Sequence, residues 1–199
     1  GMSKGIQYLF KKNKIDVIRG FGKLKNKQTV LVESDGENKE YTAENIILAT
    51  GARSKELPNL PQDDKKVIGY KKALSLREKP ESMIVVGSGA IGSEFAYFYN
   101  AIGVKVTLIE FMPTIVPLED EEVSKQLGRS FKKAGIKVMV NSSVESVDIN
   151  GDQVKATVKT KKGEEIIEAD MVLSAVGITP NLENIGIEEL GIELENGKI

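Results

Sequence analysis

The sequence predicts an α/β fold, a parallel sheet with helices plus an antiparallel β-meander, preceded by a shorter segment of incomplete design. Three observations carry this expectation. The apolar run Met83-Ile84-Val85-Val86 leads straight into a glycine-rich turn and a helical pattern. A second passage of strand, helix and strand follows over residues 104–140. Beyond it, Asn150-Gly151 and Lys162-Gly163 are hairpin signals between short stretches rich in β-branched residues.

The chain opens helically, with Ile6, Leu9 and Phe10 at helical spacing. Its basic exit, Lys11-Lys12-Asn13-Lys14, suits a helix C-terminus, where positive charge offsets the dipole. Short strands are expected at residues 15–18 and 29–33, the second paired with Tyr41-Thr42 across the polar turn at residues 34–38. Residues 45–51, Asn-Ile-Ile-Leu-Ala-Thr-Gly, read as a buried strand ending at Gly51. Pro58, Pro61 and Pro80, with polar residues between them, make residues 54–80 a connection between units. The expected organisation is therefore an incomplete unit with linker over residues 1–78 and a complete domain over residues 79–199.

Within that domain the continuous apolar run at residues 83–86 suits a parallel strand buried on both faces. A helix is expected over residues 90–102, with Ile91, Phe95, Phe98 and Ile102 on its inward stripe and Gly103 ending it. The next strand, residues 104–109, delivers Glu110 at its end. A second helix starts at Glu119-Asp120-Glu121-Glu122 and ends at Lys132-Lys133-Ala134-Gly135, with Val123, Leu127, Phe131 and Ala134 inward. Strands at residues 136–140 and 171–176 complete the pattern, the last followed by Gly177 and the turn Thr179-Pro180-Asn181. Residues 43–51 and 169–177 also echo one another in spacing, each after a strand pair with a polar turn. Two nucleotide-binding units built to one plan would produce that echo.

Composition narrows the function. Among 199 residues, 29% are charged, yet the net charge is -1 and no basic surface accumulates, which excludes nucleic acid as a partner. No apolar run approaches the roughly 20 residues that cross a bilayer. Met2-Ser3-Lys4-Gly5 begins no signal peptide, so the expected compartment is the cytoplasm, or an organelle matrix if a transit peptide has been cut away. Gly1 before Met2 resembles a tag-removal scar, so the natural start need not be here. There is no Cys and no His, which closes thiol redox chemistry, Cys or His metal sites and His acid–base catalysis to this chain. No catalytic residue and no metal ligand is therefore assigned.

Gly87-Ser88-Gly89-Ala90-Ile91-Gly92 matches the dinucleotide-binding fingerprint GxGxxG in its required context, after an apolar strand and at the start of a helix. This makes the fold Rossmann-like, of the FAD/NAD(P)-binding kind. Gly87 permits the tight turn, Gly89 lets a pyrophosphate approach, and Gly92 lets the helix pack on the strand. The helix N–H groups then receive the phosphates. Glu110 accepts hydrogen bonds from both hydroxyls of the adenine ribose. A 2′-phosphate would face that acid with no Arg or Lys in residues 111–117 to relieve it, which selects NAD over NADP. Glu94, in the first turn of the helix, either compensates the dipole or faces the nicotinamide end.

With these motifs the sequence resembles the pyridine nucleotide-disulphide oxidoreductases, and most of all the branch that oxidises dihydrolipoamide. The resemblance spans essentially the whole chain. It is carried by residues 5–14, Ile47-Leu48-Ala49-Thr50-Gly51, the fingerprint with Ser93-Glu94, Glu110-Phe111-Met112-Pro113 and Gly177-Ile178-Thr179-Pro180-Asn181. It implies that Thr50 and Gly51 lie at the edge of an FAD site in the parent protein. It implies that residues 87–94 hold the NAD pyrophosphate and nicotinamide side, that Glu110 takes the ribose, that Val144 packs on the adenine, and that Gly177 lies beside the nicotinamide half. The family's FAD fingerprint, redox Cys pair and dimerisation domain have no counterpart in this sequence. The chain is accordingly expected to bind NAD(H), to retain no FAD, to be inactive alone and to be a monomer. The parent is expected to be a homodimer acting on a lipoyl-bearing protein. Two other readings stay open: the NAD domain of a sister flavoprotein such as a mercuric or coenzyme A disulphide reductase, and a non-catalytic NAD(H)-responsive module.

Overall fold

The computed structural model describes residues 1–199, which divide by packing into two units, Gly1–Gly51 with Pro180–Ile199, and Ala52–Thr179. In the first unit α1 (Met2–Lys12) precedes β1 (Phe21–Asn26), β2 (Thr29–Ser34) and β3 (Glu37–Thr42), an antiparallel sheet in that order. Helix α1 forms at the expected place but buries none of its residues. The core of this unit is small: Leu24, Ile185 and Ile187, closed by Val30, Ile46, Leu48 and Leu182.

Two expected strands do not form here. Residues 15–18 and 45–51 are irregular, with Val17 and Ile47 exposed. A strand is held by a neighbour that pairs its N–H and C=O groups. In this unit β1, β2 and β3 pair only among themselves, and neither stretch is paired into their sheet. Conversely, β1 escaped the sequence pattern because only Leu24 in it is buried.

The second unit begins with β4 (Ala52–Ser54), β5 (Val67–Ile68) and the short α2 (Tyr70–Ala73). It continues through β6 (Ser82–Val86), α3 (Ala90–Ala101), β7 (Lys105–Ile109), α4 (Glu121–Lys133) and β8 (Lys137–Met139). The meander β9 (Ser143–Asn150), β10 (Gln153–Thr160) and β11 (Gly163–Ala169) leads to β12 (Met171–Ser174), and β13 (Ile178–Pro180) pairs with β4. Five strands form a parallel sheet in the order β5-β12-β6-β7-β8, and the meander forms a separate antiparallel sheet. The first hairpin turns at the expected Gly151, and the second turns at Lys161-Lys162, with Gly163 opening β11.

The sheet is covered on both faces, which explains the unbroken apolar run of β6. Met83 and Val85 pack with Ala96, Tyr99 and Phe131 from α3 and α4. Ile84 and Val86 pack on the other face with Val154, Ala156 and Val158 of the meander. The expected helix stripes need correction. Helix α3 buries Gly92, Ser93, Ala96 and Tyr99; Ile91 and Phe95 of the expected stripe pack partly buried against the same core, while Phe98 and Ile102 are exposed. Helix α4 buries Ser124 and Phe131, while Val123 and Ala134 face solvent.

The division by packing falls after Gly51, earlier than the boundary expected at residue 78. The reason lies in residues 54–80, which are more than a connection: Leu60, Val67 and Ile68 are buried, and β5 joins the parallel sheet. The sequence echo has a structural counterpart within each unit. A three-stranded antiparallel sheet precedes residues 43–51 and β12 alike, and each stretch runs to a glycine with positive φ, Gly51 at 75° and Gly177 at 116°.

Candidate functional site

A cleft of about 570 Å³ opens at the C-terminal ends of β6, β7 and β12, where open α/β sheets bind their ligands. The strand ends are stitched together by backbone. Gly87 N–H donates to Ile109 O at 2.8 Å, Ala175 N–H to Val86 O at 2.8 Å, and Glu110 N–H to Met139 O at 2.8 Å. Of the residues singled out by sequence, Gly87, Ser88, Gly89, Ala90, Ile91, Glu110, Val144 and Gly177 all line this cleft.

Gly92 lies beneath it. A Cβ there would sit 1.8 Å from Gly87 O, so the glycine permits the contact between α3 and the turn. Gly87 has φ +94°, and a Cβ on it would lie 2.5 Å from Ala175 O. Gly89 differs from both: its φ is -62°, and a Cβ would meet no protein atom within 4 Å. Nothing in the chain itself demands glycine at that position, which faces open cleft.

Helix α3 starts with Gly89 as N-cap, without a side-chain cap and without an acid in its first turn. Helix α4 is the contrast: Asp120 caps it by accepting from Glu122 N–H at 2.8 Å, and Glu121 and Glu122 follow. The start of α3 therefore presents unopposed N–H groups and positive dipole to the cleft, while the start of α4 is already compensated. Glu94, expected in the first turn of α3, is its fifth residue. It is exposed and lines a separate depression with Tyr70, Arg77 and Phe95, one that shares Ile91 and Ile178 with the main cleft.

Glu110 is the only ionisable residue lining the cleft, and it is 7% exposed. Its Oε2 accepts from the Ser88 N–H at 2.8 Å and the Ser88 hydroxyl at 2.7 Å, and its Oε1 accepts from Met112 N–H at 2.8 Å. Val116 N–H donates in turn to Ser88 O at 3.0 Å, which ties the loop after β7 to the fingerprint turn. Val116 holds φ +41°, a strained setting for a β-branched residue, at this contact. With one carboxylate, the hydroxyls of Ser88, Ser142 and Ser143, and no second titratable group, the cleft is equipped to bind and orient.

Sequence reading missed part of the wall. Leu57, Asn59 and Leu60 line the cleft from the stretch taken as a connection, and Asn59 Nδ2 donates to Val144 O. The available signal was Leu57-Pro58-Asn59-Leu60-Pro61, two leucines inside a polar segment. Thr50 and Gly51 belong to the other unit, where Thr50 O accepts from Asn181 Nδ2 at 3.2 Å and Gly51 O from Asn181 N–H at 3.0 Å.

The family described as pyridine nucleotide-disulphide oxidoreductase matches residues 1–199. Over 200 aligned residues the chain is 40% identical to dihydrolipoyl dehydrogenase of Zymomonas mobilis, and it is 43% identical over 199 to that of Chlorobaculum parvum. These alignments cover 100% and 99% of this chain but 43% and 42% of those proteins, so it spans less than half of their length. Among solved structures, LpdA from Mycobacterium tuberculosis superposes with a TM-score of 0.86 at 29% identity, covering 98% of this chain and 44% of that one. The HOCl-induced flavoprotein disulfide reductase RclA from Escherichia coli superposes at 0.76 with 26% identity, covering 98% and 45%.

Proposed function

The chain belongs to the pyridine nucleotide-disulphide oxidoreductase family, and from that premise we propose that its Ala52–Thr179 unit holds NAD(H) for a dihydrolipoyl dehydrogenase. The observation that carries the reading is Gly89. Its backbone is ordinary and its missing Cβ relieves no contact in the chain, so the absence is useful only to a ligand that approaches closely. The pyrophosphate then meets the uncapped start of α3, and Glu110 meets the adenosine ribose. Val144 packs on the adenine. Gly177 lies beside the nicotinamide half, toward which Glu94 is directed; the residues shared by the two depressions support that direction.

When bound, NAD+ supplies the acceptor for a hydride released by flavin that a dithiol has reduced. This chain's part is to position and select. A 2′-phosphate would bring a second anion against the buried Glu110, so NADH is favoured over NADPH. The dihydrolipoyl relatives at 40% identity favour a lipoyl-bearing partner over the substrates of other flavoprotein disulphide reductases. A cytoplasmic, homodimeric parent belongs to the same reading, and so does a monomeric chain that lacks bound FAD and turnover. No helix here is long and apolar enough to cross a membrane.

Calorimetric titration of the chain with NADH and NADPH, beside Glu110→Ala, tests the assignment. NADH is expected to bind at least about tenfold more tightly than NADPH, with the preference lost in the variant. Equal binding of both nucleotides by the unaltered chain would remove the NAD assignment.

A further inference from the structure

Glu110 has less room for ribose hydroxyls than its position in the sequence suggests. An ionised carboxylate accepts at about four lone-pair positions, two on each oxygen. The Ser88 N–H and the Ser88 hydroxyl take both positions of Oε2, at 2.8 Å and 2.7 Å, and Met112 N–H takes one of Oε1 at 2.8 Å. One position remains, on Oε1. The Ser88 hydroxyl is also held in its orientation. Val116 N–H donates to its oxygen at 3.2 Å, so its own proton has Glu110 as acceptor. Ser88 is fully buried, and water offers the hydroxyl no alternative.

We propose that Ser88 makes Glu110 a reader of a single ribose hydroxyl, by filling the acceptor position that the second hydroxyl would occupy. Ser88 is a positioning residue that acts through Glu110 and sets which part of the adenosine ribose the cleft recognises. The inference rests on the NAD(H) reading of the cleft. Removing the Ser88 hydroxyl would open one position on Oε2 and leave the surrounding backbone bonded. Val116 N–H keeps Ser88 O as acceptor at 3.0 Å, and the Ser93 hydroxyl still donates to Ser88 O at 2.9 Å. Ser88→Ala is therefore expected to fold.

The test compares dissociation constants for NADH and for two analogues, one lacking the 2′-hydroxyl and one lacking the 3′-hydroxyl of the adenosine ribose. Each is titrated by calorimetry into the full chain and into Ser88→Ala, with melting curves in parallel. In the unaltered chain, deletion of one hydroxyl is expected to weaken binding roughly tenfold or more, the effect of one hydrogen bond to a charged group. Deletion of the other should change it by less than about threefold. In Ser88→Ala, both deletions should weaken binding roughly tenfold. Equal losses in the unaltered chain, no loss with either analogue, or an unaltered pattern in a folded Ser88→Ala each overturn the inference and leave the NAD(H) reading standing. A folded chain that binds no NADH overturns that reading and the inference with it. The comparison of the two analogues on the unaltered chain does not depend on the variant folding.

Discussion

At Gly92 a Cβ would sit 1.8 Å from Gly87 O, whereas at Gly89 it would meet nothing within 4 Å. The two glycines of one motif therefore serve different masters, and substitution separates them. Gly92→Ala forces α3 off the turn and is expected to cost about 3 kcal/mol or more, read as a lowered midpoint in urea. Gly89→Ala is expected to leave stability within about 1 kcal/mol, since a poorer N-cap is offset by a stiffer unfolded chain. Its NADH affinity should fall at least about tenfold. A Gly89→Ala chain with full affinity would contradict the role assigned to the open cleft. The glycines and Glu110 were legible in sequence because their spacing is fixed by local geometry. The contacts of Ser88 with Glu110, and of Asn59 with Val144, join residues far apart in the chain and leave no trace in spacing.

Among the elements, the β6–α3–β7 passage was legible because a strand covered on both faces must be apolar throughout. The inward stripe of α3 was half legible: Ile91 and Phe95 pack on the core, but the small residues Gly92, Ser93 and Ala96 that share the buried face carry no hydrophobic signal. Residues 45–51 have the composition of a strand and lack a neighbour to pair with, which composition alone cannot reveal. Strand β5 was hidden because it is two residues long and is set by a side chain outside it. Asp63 Oδ1 accepts the backbone N–H groups of Lys65, Lys66 and Val67 at 2.9, 2.8 and 2.8 Å. Slight burial pushes the Asp63 carboxyl upward, but those backbone bonds together outweigh it and leave the group below its ordinary 3.8. A carboxyl lowered by folding contributes stability that is present above its unfolded pKa and is lost as pH falls through the folded value. Urea midpoints measured between roughly pH 5 and 3 are thus expected to fall less steeply in Asp63→Asn than in the unaltered chain. Parallel curves would remove Asp63 as a source of that dependence.

At the scale of the molecule, the two units differ in what holds each together. The Ala52–Thr179 unit carries two extensive apolar clusters on the two faces of its parallel sheet. The other has three buried side chains in its apolar cluster and a helix, α1, that buries none. A helix of 11 residues without buried contacts is marginal in water. Amide exchange is therefore expected to be fast throughout α1 and residues 45–51, and slowest in β6, β7 and β12. Comparable protection in α1 and β6 would contradict this. The feature that recurs in the two units, a three-stranded antiparallel sheet before a stretch ending at a glycine, was visible as a sequence echo because hairpin turns and terminal glycines are local features. Their packing was not visible, since residues 180–199 join the start of the chain only through long-range contacts. The central claim, that the cleft above β6, β7 and β12 is a dinucleotide site, is tested most directly by titrating NADH into nitrogen-labelled chain and mapping amide shifts. Shifts are expected at Gly87 to Ile91, Glu110, Ser142 to Val144 and Ala175 to Ile178, with α1 and α4 unmoved. Shifts centred elsewhere, or none in a folded chain, would contradict it.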